Sequence, residues 1–206
     1  MSYYWDQRFL RHINEDVKTV IEVGSRYGEE SIELSKHFPL AHVYSFECNP
    51  NTIDTCRKNL ANKEKISFFA HGLGETNEYK EFYPYVHNND GASSFYKRYD
   101  FNNTQVIRHN IEIKKTSDVL NELTIETVDL LCMDIQGYEL NVLKGCPDVY
   151  IRYIIMEEPK PDIVSRYIGA PSSKDIKDYM TRNNFIEIER IPENLIEDNV
   201  MYKRVS

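Results

Sequence analysis

The chain has 206 residues, of which 41% are hydrophobic and 28% charged, and carries a net charge of −8. That length and composition suit one globular domain with a proper core. The acidic balance argues against sequence-independent binding to a nucleic-acid backbone, which needs a cationic surface. No apolar run reaches membrane-spanning length. The N-terminal stretch MSYYWDQRFLRHINEDVK is charged throughout and has no apolar h-region, so no secretory signal is expected there. Cys48, Cys56, Cys132 and Cys146 form no CxxC pair and no Cys/His cluster with zinc spacing. They read as reduced, buried thiols of a cytoplasmic protein.

Trp5, Phe9, Leu10 and Ile13 fall at helical spacing and predict a short amphipathic lead-in helix. KTVIEV (18–23) is a β-branched strand bounded by Gly24. A helix over 29–38 leads to the strand HVYSFE (42–47). Asn49-Pro50 offers an N-cap and a proline at the first helical position, predicting a helix over 50–61. ISFFA (66–70) is the third strand. Residues 71–116 are long and irregular, with two predicted strands near 78–83 and 105–113, and an insertion of this length between core strands points to function. VDLLCM (128–133) is the fourth core strand, followed by a helix that Gly145 stops. YIIME (153–157) is the fifth. Ser172 with Asp175 resembles a capping box, and Asn183-Asn184 close the helix that follows. FIEIERI (185–191) and IEDNVMYKRV (196–205) read as an antiparallel hairpin at one end of the sheet. Near-continuous apolar strands alternating with helices predict an α/β fold with a mostly parallel, Rossmann-like sheet.

Two segments point to a nucleoside. EVGSRYG (22–28) follows the first strand and opens a helix; Gly24 and Gly28 allow a tight turn and close approach of a ligand. The second strand ends about 20 residues later in Glu47, where an acid can accept both ribose hydroxyls. A dinucleotide turn would carry a glycine at the position of Arg26, so a nicotinamide oxidoreductase fits less well than a nucleoside without a pyrophosphate. S-adenosylmethionine is the leading candidate, with Glu22 placed to contact its ammonium group. VDLLCMDIQGYELNVLKG (128–145) delivers Asp134 to the same sheet rim.

The three blocks IEVGSRYGEESIELSKHFP, VYSFECNPNTIDTCRKNL and VDLLCMDIQGYELNVLKG resemble the FkbM-type S-adenosylmethionine-dependent methyltransferases. That family reads roughly D-V-G-A-N-x-G, then F-E-P-N-P, then K-I-D-V-E-G-x-E-x-x-V-L-x-G. GASSF (91–95), KTSDVL (115–120) and DNVMY (198–202) fall at further family elements, so the resemblance runs over about residues 17–205. Glu22 stands where the family has Asp, Cys48 where it has Pro, Cys132 where it has Lys and Gln136 where it has Glu. If that Lys and Glu act on the substrate, this chain handles a different one or has less chemistry there.

The resemblance implies a class I methyltransferase fold with a seven-stranded sheet, as one domain over 1–206 in which 71–116 covers the acceptor site. It also implies O-methyl transfer, often to sugar hydroxyls of glycans or natural products. Gly24, Ser25 and Gly28 would floor the cofactor, Glu47 would hold the ribose, and Cys48 with His71, Gly72 and Leu73 would border the adenine. Asp134 would face the methyl donor and the acceptor hydroxyl, as base, orienting group or cofactor contact. His87 and Glu139 are further candidates for catalysis, His87 because an imidazole titrates closer to neutral pH; His109 is a rival, and Glu139 could equally cap the local backbone. Carboxylates at adjacent strand ends, Asp134 with Glu157 or Glu158, leave Mg²⁺ possible. Tyr79, Phe82, Tyr83, Tyr85, Phe95, Tyr96 and Tyr99 in the insertion suit sugar rings or an ordinary packed lid. A non-catalytic nucleoside-binding protein on the same fold stays open as the alternative; the oligomeric state is not legible.

Overall fold

The computed structural model describes residues 6–85, 90–99 and 109–205. In chain order the elements are α1 (Gln7–Leu10), β1 (Thr19–Val23), α2 (Glu29–His37), β2 (His42–Phe46), α3 (Ile53–Leu60), β3 (Ile66–Phe69), β4 (Gly72–Gly74) and β5 (Glu78–Phe82). They continue with β6 (His109–Lys115), α4 (Thr116–Glu122), β7 (Thr127–Met133), α5 (Glu139–Lys144), β8 (Tyr150–Pro159), α6 (Ser173–Arg182), β9 (Phe185–Pro192) and β10 (Glu197–Arg204).

Seven strands form one sheet in the order β3-β2-β1-β7-β8-β10-β9. The five strands expected from apolarity are parallel, while β10 runs antiparallel to both β8 and β9. The expected C-terminal hairpin is present, with its second strand inserted between β8 and the first.

Strand parity explains the near-continuous apolar runs. In β7, Leu131 and Met133 pack with Val119 and Leu120 of α4, Val142 and Leu143 of α5, and Ile176 and Met180 of α6. Leu130 and Cys132 face the other way, against Phe9, Leu34, Cys56 and Leu60 from α1, α2 and α3. Each face of the sheet therefore has its own core, as a parallel sheet requires.

The insertion forms a second sheet, in the order β4-β6-β5. Its two anticipated strands are β5 and β6, the latter from His109 onward. The third, β4, pairs parallel with β6 through Gly72, Leu73 and Gly74. Gly145 has an ordinary helical conformation. Its lack of a side chain serves packing: a β-carbon there would lie 1.9 Å from the Gly74 carbonyl oxygen.

The lead-in helix is only four residues long, and Trp5 lies outside the described residues. Asn49 makes the bonds expected of an N-cap: its side chain accepts Asn51 N–H and its carbonyl accepts Ile53 N–H, each at 3.0 Å, although the regular turns of α3 begin only after Thr52. The capping box is present, Ser172 and Asp175 bonding reciprocally. No described helix is long and apolar enough to cross a membrane.

Candidate active site

The C-terminal ends of β1, β2, β7 and β8 open onto a cavity of about 840 Å³. This is where ligands bind in open α/β sheets, and the volume suits a nucleoside plus an acceptor. Gly24, Ser25, Glu47, Cys48, His71, Gly72, Leu73 and Asp134 all line it.

The turn after β1 is shaped by backbone. Gly24 and Gly28 are left-handed, with φ of +93° and +82°. Gly24 and Ser25 both donate to the Phe46 carbonyl, at 2.9 and 3.1 Å, tying the turn to β2. A β-carbon on Gly24 would lie 2.2 Å from the Asp134 carbonyl oxygen, so only glycine lets the β1 and β7 ends close together. Gly28 packs under Leu60 and does not line the cavity.

Arg26 also has positive φ, at 49°. This aims its N–H at Glu47 Oε2, at 2.5 Å, while Asn49 N–H donates to Oε1 at 2.6 Å. The Cys48 N–H and the Thr52 hydroxyl also act on this carboxylate, which lies in the cavity wall. Burial outweighs these amides and pushes the Glu47 pKa up to about 7. The Arg26 guanidinium lies over the Tyr27 ring and donates to Asp90 at 2.6 Å, and the Tyr27 hydroxyl donates to the same carboxylate. This clasp joins the glycine turn to the GASS segment; reading Arg26 only as a missing glycine overlooked it.

His71 is mostly buried, with Nδ1 3.0 Å from the Gly72 carbonyl and its ring edge-on to Phe46. Burial lowers its pKa, favouring the neutral ring. Cys48 lies beside the Phe82, Phe95, Ile113 and Tyr138 cluster beneath the small sheet.

Two further candidate site residues lie away from the cavity wall. Glu22 is fully buried beneath the glycine turn and does not line the cavity. Ser31 donates to its Oε2, and Ser45 links Ser31 to Ser25 at 2.8 and 2.7 Å. Its position gives the carboxylate a structural seat instead of the ammonium contact expected at a strand end. Glu139 is likewise buried, and its Oε1 accepts Ile135 N–H at 3.0 Å, bracing the turn between β7 and α5. Burial pushes its pKa to about 8, and the carboxylate does not face the cavity. His87 lies outside the described residues. His109, on β6 opposite Phe82, is not on the cavity wall.

The acid end centres on Gln136, whose backbone is left-handed at φ 56°. Its amide nitrogen donates to Asp134 Oδ1 and to Glu157 Oε2, each at 2.7 Å. The Tyr167 hydroxyl bonds its side-chain oxygen, and the Ser94 hydroxyl donates to its carbonyl at 2.8 Å. Glu158 points to the opposite face, held by Tyr202 at 2.6 Å and Arg190 at 3.3 Å. Of the two partners considered for Asp134, only Glu157 reaches it. Among the described residues no group of three or more His, Cys, Asp or Glu could hold a metal ion. Cys132 is buried in the α1–α3 core and away from the cavity, so its difference from the family leaves the acceptor end untouched. Arg98, buried between the Tyr85 and Tyr167 rings, and Arg166, Glu193, Asn194 and Glu197 complete this end. Phe82 and Phe95 line the cavity, whereas Tyr79 and Tyr99 are exposed.

Sheet order, glycine turn, ribose-type acid and rim carboxylate together define a class I S-adenosylmethionine-dependent methyltransferase. The fold is shared with fibrillarin from Aeropyrum pernix, solved with natively bound S-adenosyl-L-methionine, at TM-score 0.55 and 12% identity over 95% of this chain and 72% of that one. An S-adenosylmethionine-dependent methyltransferase from Aquifex aeolicus matches at TM-score 0.52 and 9% identity, over 97% and 89% of the two chains. The profile described as "Methyltransferase FkbM domain" matches residues 22–187, and the chain belongs to that family.

Curated relatives are distant. The 2-O-methyltransferase NoeI of Sinorhizobium fredii (strain NBRC 101917 / NGR234) is 24% identical over 61% of this chain and 56% of its own length. Methyltransferase 1 of Beauveria bassiana is 25% identical over 65% and 60%. Methyltransferase sdnD of Sordaria araneosa is 23% identical over 73% and 70%. The chain thus spans less than two thirds of the length of the first two.

Proposed function

We propose that this chain transfers a methyl group from S-adenosylmethionine to a hydroxyl of a sugar, glycan or small glycoside. The observation that carries the reading is Asp134, which meets the glycine turn on one side and a carboxylate- and amide-rich pocket on the other. Carboxylates and amides are the partners that hydroxyl groups need. The printed name of the Sinorhizobium relative, a 2-O-methyltransferase, supports oxygen as the acceptor atom.

The cavity fits the cofactor. Glu47 presents a carboxylate in the cavity wall, the group that accepts the two ribose hydroxyls in this reading. Cys48 and His71 to Leu73 flank the base, and the neutral His71 ring adds no charge against the cationic sulfonium. Gly24 and Ser25 form the floor. The cofactor when bound supplies an electrophilic methyl on a cationic sulfur. The protein then has to hold an acceptor oxygen in line with that methyl, keep water out and receive a proton. Alignment alone can contribute about 7–11 kcal/mol in favourable cases. Asp134 orients the acceptor hydroxyl at the cofactor side. Phe82 and Phe95 offer apolar faces to a ring, with the 71–116 segment acting as the cover of the acceptor site.

The test is incubation with S-adenosylmethionine and a panel of mono- and oligosaccharides and glycosides, read by mass spectrometry. A methylated hydroxyl supports the reading; cofactor binding without transfer to any of them favours a non-catalytic nucleoside-binding protein.

A further inference from the structure

We infer that Glu157, held beside Asp134 by the Gln136 amide, is the group that takes the acceptor's proton; this rests on the methyl-transfer reading above. Asp134 and Glu157 stand at the tips of neighbouring parallel strands, β7 and β8. Their positions along the cavity differ. Asp134 belongs to the cofactor side: its N–H donates to Val23 at 3.1 Å, and its carbonyl lies against Gly24. Glu157 lies one strand further out, opposite Asn199 of β10 and towards the turn that carries Glu193 and Glu197. An acceptor entering from that end reaches Glu157 with its hydroxyl while Asp134 borders the methyl donor.

Each rim carboxylate accepts one side-chain amide. Glu193 accepts from the Asn199 amide at 3.0 Å and Glu197 from the Asn194 amide at 2.8 Å. Glu157 Oε2 accepts only the Gln136 amide, and the described residues make no further hydrogen bond to its carboxylate. Gln136 suits the bridging role because its amide offers two N–H donors and no charge, so one nitrogen can hold both acids without neutralising either. Tyr167 fixes that amide through its side-chain oxygen, and Ser94 holds the Gln136 backbone carbonyl.

The charges facing Glu157 favour proton uptake. Asp134 from β7, Glu139 from α5, and Glu193 and Glu197 from the β9–β10 turn all surround it, and Tyr167 packs from the 160–171 segment. Arg98 and Arg166 line the same cavity. Burial first, then these carboxylates, push the Glu157 pKa well above the usual carboxylate range. A raised pKa makes the ionised carboxylate the stronger base toward a hydroxyl proton.

The step balances. The acceptor oxygen bonds to the methyl carbon while its O–H proton passes to Glu157. The carbon–sulfur bond breaks with its electron pair left on sulfur. The sulfonium charge and the Glu157 charge both disappear, leaving a methyl ether and a neutral carboxylic acid.

The test joins Glu157→Gln and Glu157→Asp kinetics to a titration that needs no acceptor. With any acceptor the wild type methylates, Glu157→Gln is expected to lose about 10²–10⁴-fold in kcat. Glu157→Asp should recover part of that loss, and calorimetric affinity for S-adenosylhomocysteine should stay within about twofold of wild type, since no cofactor contact is removed. Carbon NMR of glutamate-labelled wild type bound to S-adenosylhomocysteine should show the Glu157 carboxyl titrating well above the ordinary glutamate range. Glu157→Gln retaining wild-type kcat overturns the assignment, and so does a Glu157 carboxyl that titrates in the ordinary range. The second result stands whatever the acceptor proves to be. Failure of the wild type to methylate any hydroxyl counts against the methyl-transfer reading, and the titration still decides the protonation of Glu157.

Discussion

Gly24 and Asp134 are packed so closely that a β-carbon on the glycine would lie 2.2 Å from the Asp134 carbonyl oxygen. This contact joins the first and fourth parallel strands at the point where the cofactor side and the acceptor side of the cavity meet. Gly24→Ala therefore combines a left-handed φ of +93° with a backbone clash. It should destabilise the protein by about 2 kcal/mol or more. Urea unfolding checks this, and an unchanged midpoint would show that the two strand ends are not in contact.

Glu47 should dominate cofactor affinity. Glu47→Ala removes the proposed acceptor of the ribose hydroxyls and leaves the Arg26 and Asn49 amides unpaired. The expected loss in calorimetric affinity for S-adenosylhomocysteine is about 10–100-fold or more, from charged hydrogen bonds worth about 1.5–3 kcal/mol each. Glu47→Gln, which keeps one oxygen, should lose less.

The Arg26–Asp90 clasp should matter more for the cofactor than for the fold. Arg26 is substantially exposed, so the ion pair contributes little stability. Asp90→Ala should shift unfolding by no more than about 1 kcal/mol while accelerating dissociation of S-adenosylhomocysteine in stopped-flow measurements. Equal dissociation rates would show that the clasp does not bear on the cofactor.

Stability should fall as pH rises towards and past neutrality. Burial raises Glu22 and Glu47 to about 7 and Glu139 to about 8. Each binds its proton more tightly in the folded chain than in the unfolded one. Their contribution is complete below the ordinary glutamate range and is lost as pH rises through these values. Urea midpoints of the apo protein should drop between about pH 5 and about pH 8.5. Glu139→Gln, which can still accept the Ile135 N–H, should flatten that slope; a slope as steep as wild type would place the titration elsewhere.

Much of the fold was legible because burial on both faces leaves a plain mark. VDLLCM is apolar at nearly every position since alternate residues enter two different cores. The insertion was harder: Gly72-Leu73-Gly74 has no strand pattern, and β4 exists only through pairing with β6, some forty residues away. At the site, Glu47 and Asp134 were legible from their places at strand ends. Spacing does not reveal where a side chain points, so Glu22 was expected at the cavity although it is buried beneath the glycine turn, and the two readings of Glu139 could not be separated until its bond to Ile135 N–H was seen. Gln136 was visible only as a departure from the family pattern. Its bridging role depends on the positive φ of its turn and on Tyr167, which is distant in sequence.

The most direct test of the central claim is transfer of a deuterated methyl from labelled S-adenosylmethionine to a glycan and glycoside panel, with the labelled atom located by NMR of the product. The label is expected as a methyl ether on a sugar hydroxyl, with transfer strongly reduced in Glu47→Ala. Label on nitrogen or carbon, or cofactor binding with no transfer to any hydroxyl, would contradict it.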